Sequence, residues 1–244
     1  MPIPSPAATV IFLLDVDNTL LDNDRFAEDL GERLEQSFGH AGRERYWTIF
    51  TDLREKFGYA DYLATLQRFR QGLDNEPALL QMSAFLLEYP FAERLYPRAL
   101  EVIAYLHMLG RPVILSDGDA VFQPRKIQRS GLWDAFRGEV LIYLHKQLQI
   151  AEMQQRYPAA HYVMVDDKPH LLAQMKQVLG DTLTTVFVQQ GHYAIEAVEG
   201  HADIRPAPDI RIACIGELCQ FVLADFLPAA APELYKTSRL MERP

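Results

Sequence analysis

Hydrophobic positions along the chain follow two rhythms. Short continuous apolar runs fall at 10–14, 111–115, 139–144, 161–165, 184–188 and 209–215, with the length and β-rich composition of buried strands. Elsewhere apolar residues recur at helical spacing. Phe26, Leu30, Leu34 and Phe38 stand four apart in a stripe that ends at Gly39, after a turn and N-cap signal at Asp22-Asn23-Asp24. Helices are then predicted over 41–57, stopping at Gly58, over 59–71, and over 78–88 before Pro90. Further helices are expected over 96–109, closed by Gly110, then with Pro124 in a first turn, then up to Arg156, from Pro169 to 179, and over 216–226.

Strands alternating with helices imply a parallel sheet covered on both faces. The expected fold class is therefore α/β, a Rossmann-like parallel core with an inserted all-helical block. The core would comprise residues 1–22 and 93–228, and the insert 23–92, where no strand pattern occurs. The remainder, 229–244, is Pro- and Ala-rich and then polar, which reads as a loosely held tail.

A length of 244 residues suffices for one substantial core plus a small insert. The formal net charge of -9 disfavours non-specific binding to nucleic acid or to an anionic membrane. It leaves a small anionic substrate open, because a metal or lysine can reverse the sign inside a cleft. Cys214 and Cys219, the only cysteines, form neither a disulfide framework nor a zinc pattern, and fit reduced thiols in a cytoplasmic protein. The first apolar stretch lacks a basic leader and is interrupted by Asp15, so neither a signal peptide nor a membrane span is expected. Composition does not fix the oligomeric state.

Polar groups gather at the ends of the predicted strands. The first strand runs into Asp15-Val16-Asp17-Asn18-Thr19, the second into Ser116-Asp117-Gly118, the third into His145-Lys146, and the fourth into Asp166-Asp167. A parallel sheet brings these ends to one edge, where open α/β sheets bind ligands. Asp15, Asp166 and Asp167 side by side would repel without a cation, and clustered carboxylates are the ligand type Mg²⁺ prefers. A metal with Lys146 would hold a dianionic phosphoryl group. Ser116 and the backbone amides of Asp117 and Gly118 would take its remaining oxygens. Asp15 would act as nucleophile, and Asp17 as the acid that protonates the leaving oxygen and later activates water.

The ordered set Asp-x-Asp-x-Thr, Ser, Lys and Asp-Asp resembles the haloacid dehalogenase superfamily, over nearly the whole chain outside the tail. The helical block then resembles that superfamily's type-1 cap. The resemblance implies that Asp15 is the nucleophile and Asp17 the general acid/base, with the Asp17 backbone carbonyl on Mg²⁺. It implies that Thr19 orients the first loop, Ser116 binds phosphate, Lys146 steadies the nucleophile, and Asp166 and Asp167 serve the metal. Dehalogenases of the superfamily use no metal and lack an acid at the position of Asp17, so the resemblance points to the phosphatase and phosphotransferase branch.

Three positions depart from the common pattern: Asp117 after Ser116, Gln147-Leu148 after Lys146, and Lys168-Pro169 after Asp167. Asp117 adds a negative charge that must turn away from a phosphate pocket. Lys168 either shields the acid cluster or reaches solvent. In the insert, Arg43, Arg45, Arg54, Lys56, Arg68 and Arg70 read as a solvated face from which one or two reach substrate; Lys56, the insert's only lysine, could form a Schiff base. Tyr46, Trp47, Tyr59 and Tyr62 read as insert core, His145 as structural, and His192 and Tyr193 as a structural loop.

The expected activity is Mg²⁺-dependent hydrolysis of a small phosphate monoester through an aspartyl-phosphate. The alternatives are phosphoryl transfer by the same site, a binding or regulatory protein with a relict site, and, more remotely, dehalogenation.

Overall fold

The computed structural model describes residues 10–73, 77–199 and 204–228. Six parallel strands form one sheet: β1 (Val10–Leu14), β2 (Arg111–Asp117), β3 (Val140–Tyr143), β4 (His161–Asp166), β5 (Leu183–Val188) and β6 (Ile210–Ile212). Their spatial order is β3-β2-β1-β4-β5-β6. The chain therefore winds outward from β1 in one direction, then returns to its other side at β4. That reversal is a topological switch point, and it opens a crevice beyond the carboxyl ends of β1 and β4.

Among the described residues there are nine α-helices: α1 (Asn23–Phe57), α2 (Tyr62–Phe69), α3 (Pro77–Glu88), α4 (Ala99–Leu109), α5 (Phe122–Arg129), α6 (Leu132–Ala135), α7 (Ile150–Arg156), α8 (Pro169–Leu179) and α9 (Gly191–Glu199). No helix is long and apolar enough to cross a membrane among them. The central strand shows why its run is continuously apolar. Val10, Phe12 and Leu14 enter the core on one face of the sheet, and Ile11 and Leu13 enter the core on the other.

The first of these cores extends beyond the sheet. It runs through Phe26, Phe91 and Phe122 into Tyr62, Tyr46 and Phe69 of the helical block. Phe26 has ring contacts of 4.9–5.8 Å with Tyr62, Tyr89, Phe91 and Phe122. The insert is thus anchored by apolar packing at its root.

Several predicted boundaries shift for identifiable reasons. The break at Gly39 is a kink inside α1, where a left-handed φ of 72° turns the chain without a loop. Gly58 caps the same helix in the left-handed region, its N–H donating to the Arg54 carbonyl at 2.7 Å. The helix expected over 216–226 is instead two 3₁₀ turns, Ile215–Gln220 and Leu223–Phe226. Side chains from elsewhere take carbonyls that an α-helix would use: Arg98 donates to Gly216 O at 3.1 Å and Tyr105 to Phe221 O at 2.8 Å. His192 and Tyr193, expected in a loop, lie in the first turn of α9, where the His192 amide donates to Asp24 of α1. The expected tail, 229–244, lies outside the described residues.

Gly110 ends α4 where it meets β1. A methyl group there would come within 2.4 Å of the Val10 carbonyl oxygen and 2.9 Å of the Phe12 ring. Backbone cannot yield as a flexible side chain can. Gly110→Ala is expected to destabilise the fold by about 1–3 kcal/mol, read as a lower denaturation midpoint at unchanged m-value; an unchanged midpoint would contradict this packing.

Candidate active site

The loop after β1 sits at the switch point. Its first residue is tied to the neighbouring strand by the Asp15 amide, which donates to Val165 O at 3.0 Å. Asp15 therefore lies beside Asp166 and Asp167, which leave β4. Asn18, at φ 57°, turns the loop, and its side-chain oxygen accepts from the amides of Asn23 and Asp24 at 3.0 and 3.2 Å. Loop and helix α1 are thus locked together at the point where the insert begins.

Lys146, a residue type usually solvated, is 1% exposed. Its ammonium is 2.5 Å from Asp15 Oδ1 and 2.7 Å from Asp166 Oδ2, and it donates to Leu115 O at 3.2 Å. Burial works to lower its pKa, but the carboxylates of Asp15, Asp166 and Asp117 prevail and hold it above the ordinary lysine value. It is therefore a fixed positive charge.

One lysine does not neutralise the cluster. Ligand atoms of Asp15, Asp166 and Asp167 lie within 4.8 Å of one another, and all three residues are buried. Asp15 Oδ2 and both carboxylate oxygens of Asp167 are buried without a hydrogen bond. Burial, and then the charge of Asp166, push the Asp167 carboxyl well above its ordinary range. Orphaned carboxylate oxygens from Asp15 and Asp167, beside Asp166, suit a hard divalent cation such as Mg²⁺. Lys168 adds a second positive charge: burial lowers its pKa, yet Asp15, Asp166 and Asp167 hold it above the usual value. Its ammonium also faces the Tyr193 ring at 5.2 Å. Of its two expected roles, shielding the acids is the one its surroundings fit.

The second acid of the loop differs from the first. The Asp17 side chain is 28% exposed and borders a cavity of about 200 Å³ between the sheet edge and the helical insert. Asp117, Gly118, Asp167 and Lys168 line the same cavity, and Arg54, Trp47 and Tyr59 line it from the insert. Asp117 turns its Oδ1 onto the Lys146 amide at 2.7 Å, which resolves the charge problem posed by its position. Burial raises its carboxyl above the ordinary value.

Other predicted residues sit differently. Ser116 is buried, its Oγ accepting from Gln123 Nε2 at 3.0 Å. Gly118 spends its amide on Tyr143 O at 2.9 Å. Thr19 is fully buried and its carbonyl receives Gln190 Nε2 at 3.1 Å, so it braces the loop from beneath. Of the insert's cations only Arg54 lines the cavity; Arg43 pairs with Glu35 on the surface and Lys56 lies over Phe57. The Schiff-base idea for Lys56 therefore has no geometry behind it. Tyr46 and Tyr62 are core and Trp47 packs against it, as expected, while Tyr62, Trp47 and Tyr59 also line the cavity.

Two constellations escaped the sequence reading. Lys126 of α5 is 1% exposed and donates to Asp17 Oδ1 at 2.7 Å. The signal was present: Lys126 shares the inward stripe of its helix with Phe122, Gln123 and Ile127. His192 Nδ1 lies 2.6 Å from Asp24 Oδ1 at the cavity wall. Although burial opposes it, bonding to His192 and Asn18 holds the Asp24 carboxyl below its usual value.

Known proteins place this arrangement. The family model for haloacid dehalogenase-like hydrolases matches residues 10–169. A haloacid dehalogenase-like hydrolase from Burkholderia xenovorans is 50% identical, with a TM-score of 0.82 over 90% of this chain and 99% of that one. The magnesium-bound HAD-hydrolase YfnB of Bacillus subtilis is 18% identical, with a TM-score of 0.57 over 87% and 97% of the two chains. The 2-haloacid dehalogenase of Pseudomonas syringae is likewise 18% identical, with a TM-score of 0.59 over 87% and 97%. The last two share the fold alone. No curated protein gives a significant match.

The cluster makes a pH-dependent prediction. Because Asp167 titrates above its ordinary 3.8 when folded, the folded chain holds a proton that the unfolded chain releases. The associated stability is complete below that ordinary value and lost as pH rises through the elevated one. Without divalent cations, the melting temperature should fall as pH rises above the ordinary carboxylate range, and by more than in an Asp167→Asn variant. Mg²⁺ should raise it by about a few degrees in the wild type, most at the higher pH, and far less in Asp167→Asn. Equal Mg²⁺ shifts in both proteins would contradict metal binding at this cluster.

Proposed function

The chain belongs to the haloacid dehalogenase-like hydrolase family, and from that premise we propose that it hydrolyses a small phosphate monoester with Mg²⁺ as cofactor. The observation that supports this reading is the unequal placement of two acids in one loop. Asp15 is buried and clamped by Lys146, whereas Asp17 opens onto the cavity. A clamped carboxylate suits a nucleophile, and an accessible one suits a proton carrier.

The reaction then has two halves. A carboxylate oxygen of Asp15 bonds to phosphorus while the ester P–O bond breaks, its electron pair going to the leaving oxygen. Asp17 supplies the proton that this oxygen takes up. Water next bonds to phosphorus, passing a proton back to Asp17, and the bond from phosphorus to Asp15 breaks to release inorganic phosphate. Lys146 keeps Asp15 aimed and offsets the charge of the transferring group. Asp15, Asp166 and Asp167 would hold the Mg²⁺, which when bound supplies positive charge to the phosphoryl oxygens.

We read α1, α2 and α3 as a cap that shelters the site from bulk water and selects the substrate through the residues it lends to the cavity. Ser116 fits this scheme as a phosphate contact reached after Gln123 shifts, and the Asp117 amide as a further donor.

A panel of phosphorylated metabolites, assayed with Mg²⁺ and with EDTA, tests the proposal. Activity should require Mg²⁺. Asp15→Asn should lose at least about a thousandfold in kcat and fail to form an acid-stable phosphoenzyme. Full activity in Asp15→Asn, or halide release from haloacids without metal, would overturn it.

A further inference from the structure

Lys126 is a buried cation that the reaction above does not use. Four aromatic rings, of Phe26, Tyr62, Phe91 and Phe122, surround its ammonium at 5.4–6.0 Å. Within that apolar setting it donates to Asp17 Oδ1 at 2.7 Å and to Asn23 Oδ1 at 2.8 Å. An aromatic cage of this kind would be filled at lower cost by a methionine or leucine, since a lysine there must give up its hydration. Both hydrogen-bond partners border the cavity, as does Lys126 itself.

We infer that Lys126 is a positioning residue for phosphoester cleavage, fixing which oxygen of Asp17 faces the leaving group. The inference rests on the phosphatase reading and deepens it. With Oδ1 engaged by the ammonium, the oxygen left to carry and deliver the proton is Oδ2. Its contact is a long one, 3.3 Å from Gln123 Nε2, readily surrendered to a substrate oxygen. The two bonds hold the acid in one orientation although its side chain is partly exposed. Asn23 extends the link to the first residue of α1, so the acid's orientation is set jointly by the sheet domain and by the root of the insert.

A residue that only supports packing and one that aims the acid differ in how they respond to the leaving group. An acidic phenol departs without needing a proton, whereas a weakly acidic one requires it. The test is therefore kcat/KM for para-nitrophenyl, phenyl and para-methoxyphenyl phosphate, with Mg²⁺, in wild type, Lys126→Met, Asp17→Asn and the double variant. Lys126→Met is expected to lose about tenfold or more on the para-methoxyphenyl ester and less than about threefold on the para-nitrophenyl ester. Asp17→Asn should show the same trend more steeply, and adding Lys126→Met to it should cost little more on any ester. Should Lys126→Met fail to fold, Lys126→Gln, which keeps a donor at the site, carries the comparison with a shallower trend. Equal losses across the three esters, or losses that add in the double variant, would overturn the inference. A wild type silent towards all three esters and the wider metabolite panel would overturn the phosphatase reading, and this inference with it.

Discussion

Everything at the sheet edge depends on keeping the Lys146 ammonium buried among carboxylates. Removing a lysine from water is costly, by several kcal/mol after relaxation, and only close, well-bonded counter-charges make it tolerable. Asp15 and Asp166 supply them at 2.5 and 2.7 Å. The two acids come from adjacent central strands, so the lysine's placement requires that β1 and β4 be neighbours and in register. Loss of the lysine would leave buried carboxylates without their counter-charge, which typically costs about 3–5 kcal/mol. The ion pair and the sheet topology are thus mutually dependent, and the same contact fixes the Asp15 carboxylate in place.

Sequence patterning made most of this legible. Continuous apolar runs bounded by acids revealed the strands, because a parallel sheet buried on both faces leaves no room for alternation. The acids themselves marked the edge that carries the candidate site, since a strand that ends in Asp-x-Asp has little structural reason to do so. The burial of Lys146 is not legible locally, because it depends on partners far along the chain, Asp15 and Asp166. The same reason hid α9: its His192 amide donates to Asp24, remote in sequence. Lys126 was overlooked because cation and acid are 109 residues apart. The helix expected over 216–226 failed because Arg98 and Tyr105 claim its carbonyls. In each case the missing information was a long-range hydrogen bond, which local periodicity does not encode.

The two acids of the first loop are separated by environment rather than by chemical type. One lies among charges and the other against a cavity. The loop is rigid for a reason that sequence spacing alone would not show: Asn18 bonds to the start of α1, while Gln190 braces Thr19. Rigidity of this kind is what a site needs if small displacements are to be costly to its rate.

The apolar core that runs unbroken from the sheet into the helical insert has a consequence for how such a protein can diversify. Phe26 packs against Tyr62, Tyr89, Phe91 and Phe122 at the root of the region that borders the cavity. New ligand preferences are therefore most accessible through rim residues such as Arg54 and Tyr59, whose replacement leaves that packing intact. Deeper remodelling would exchange folding stability for novelty, so the aromatic root acts as a fixed chassis and the rim as the adaptable part.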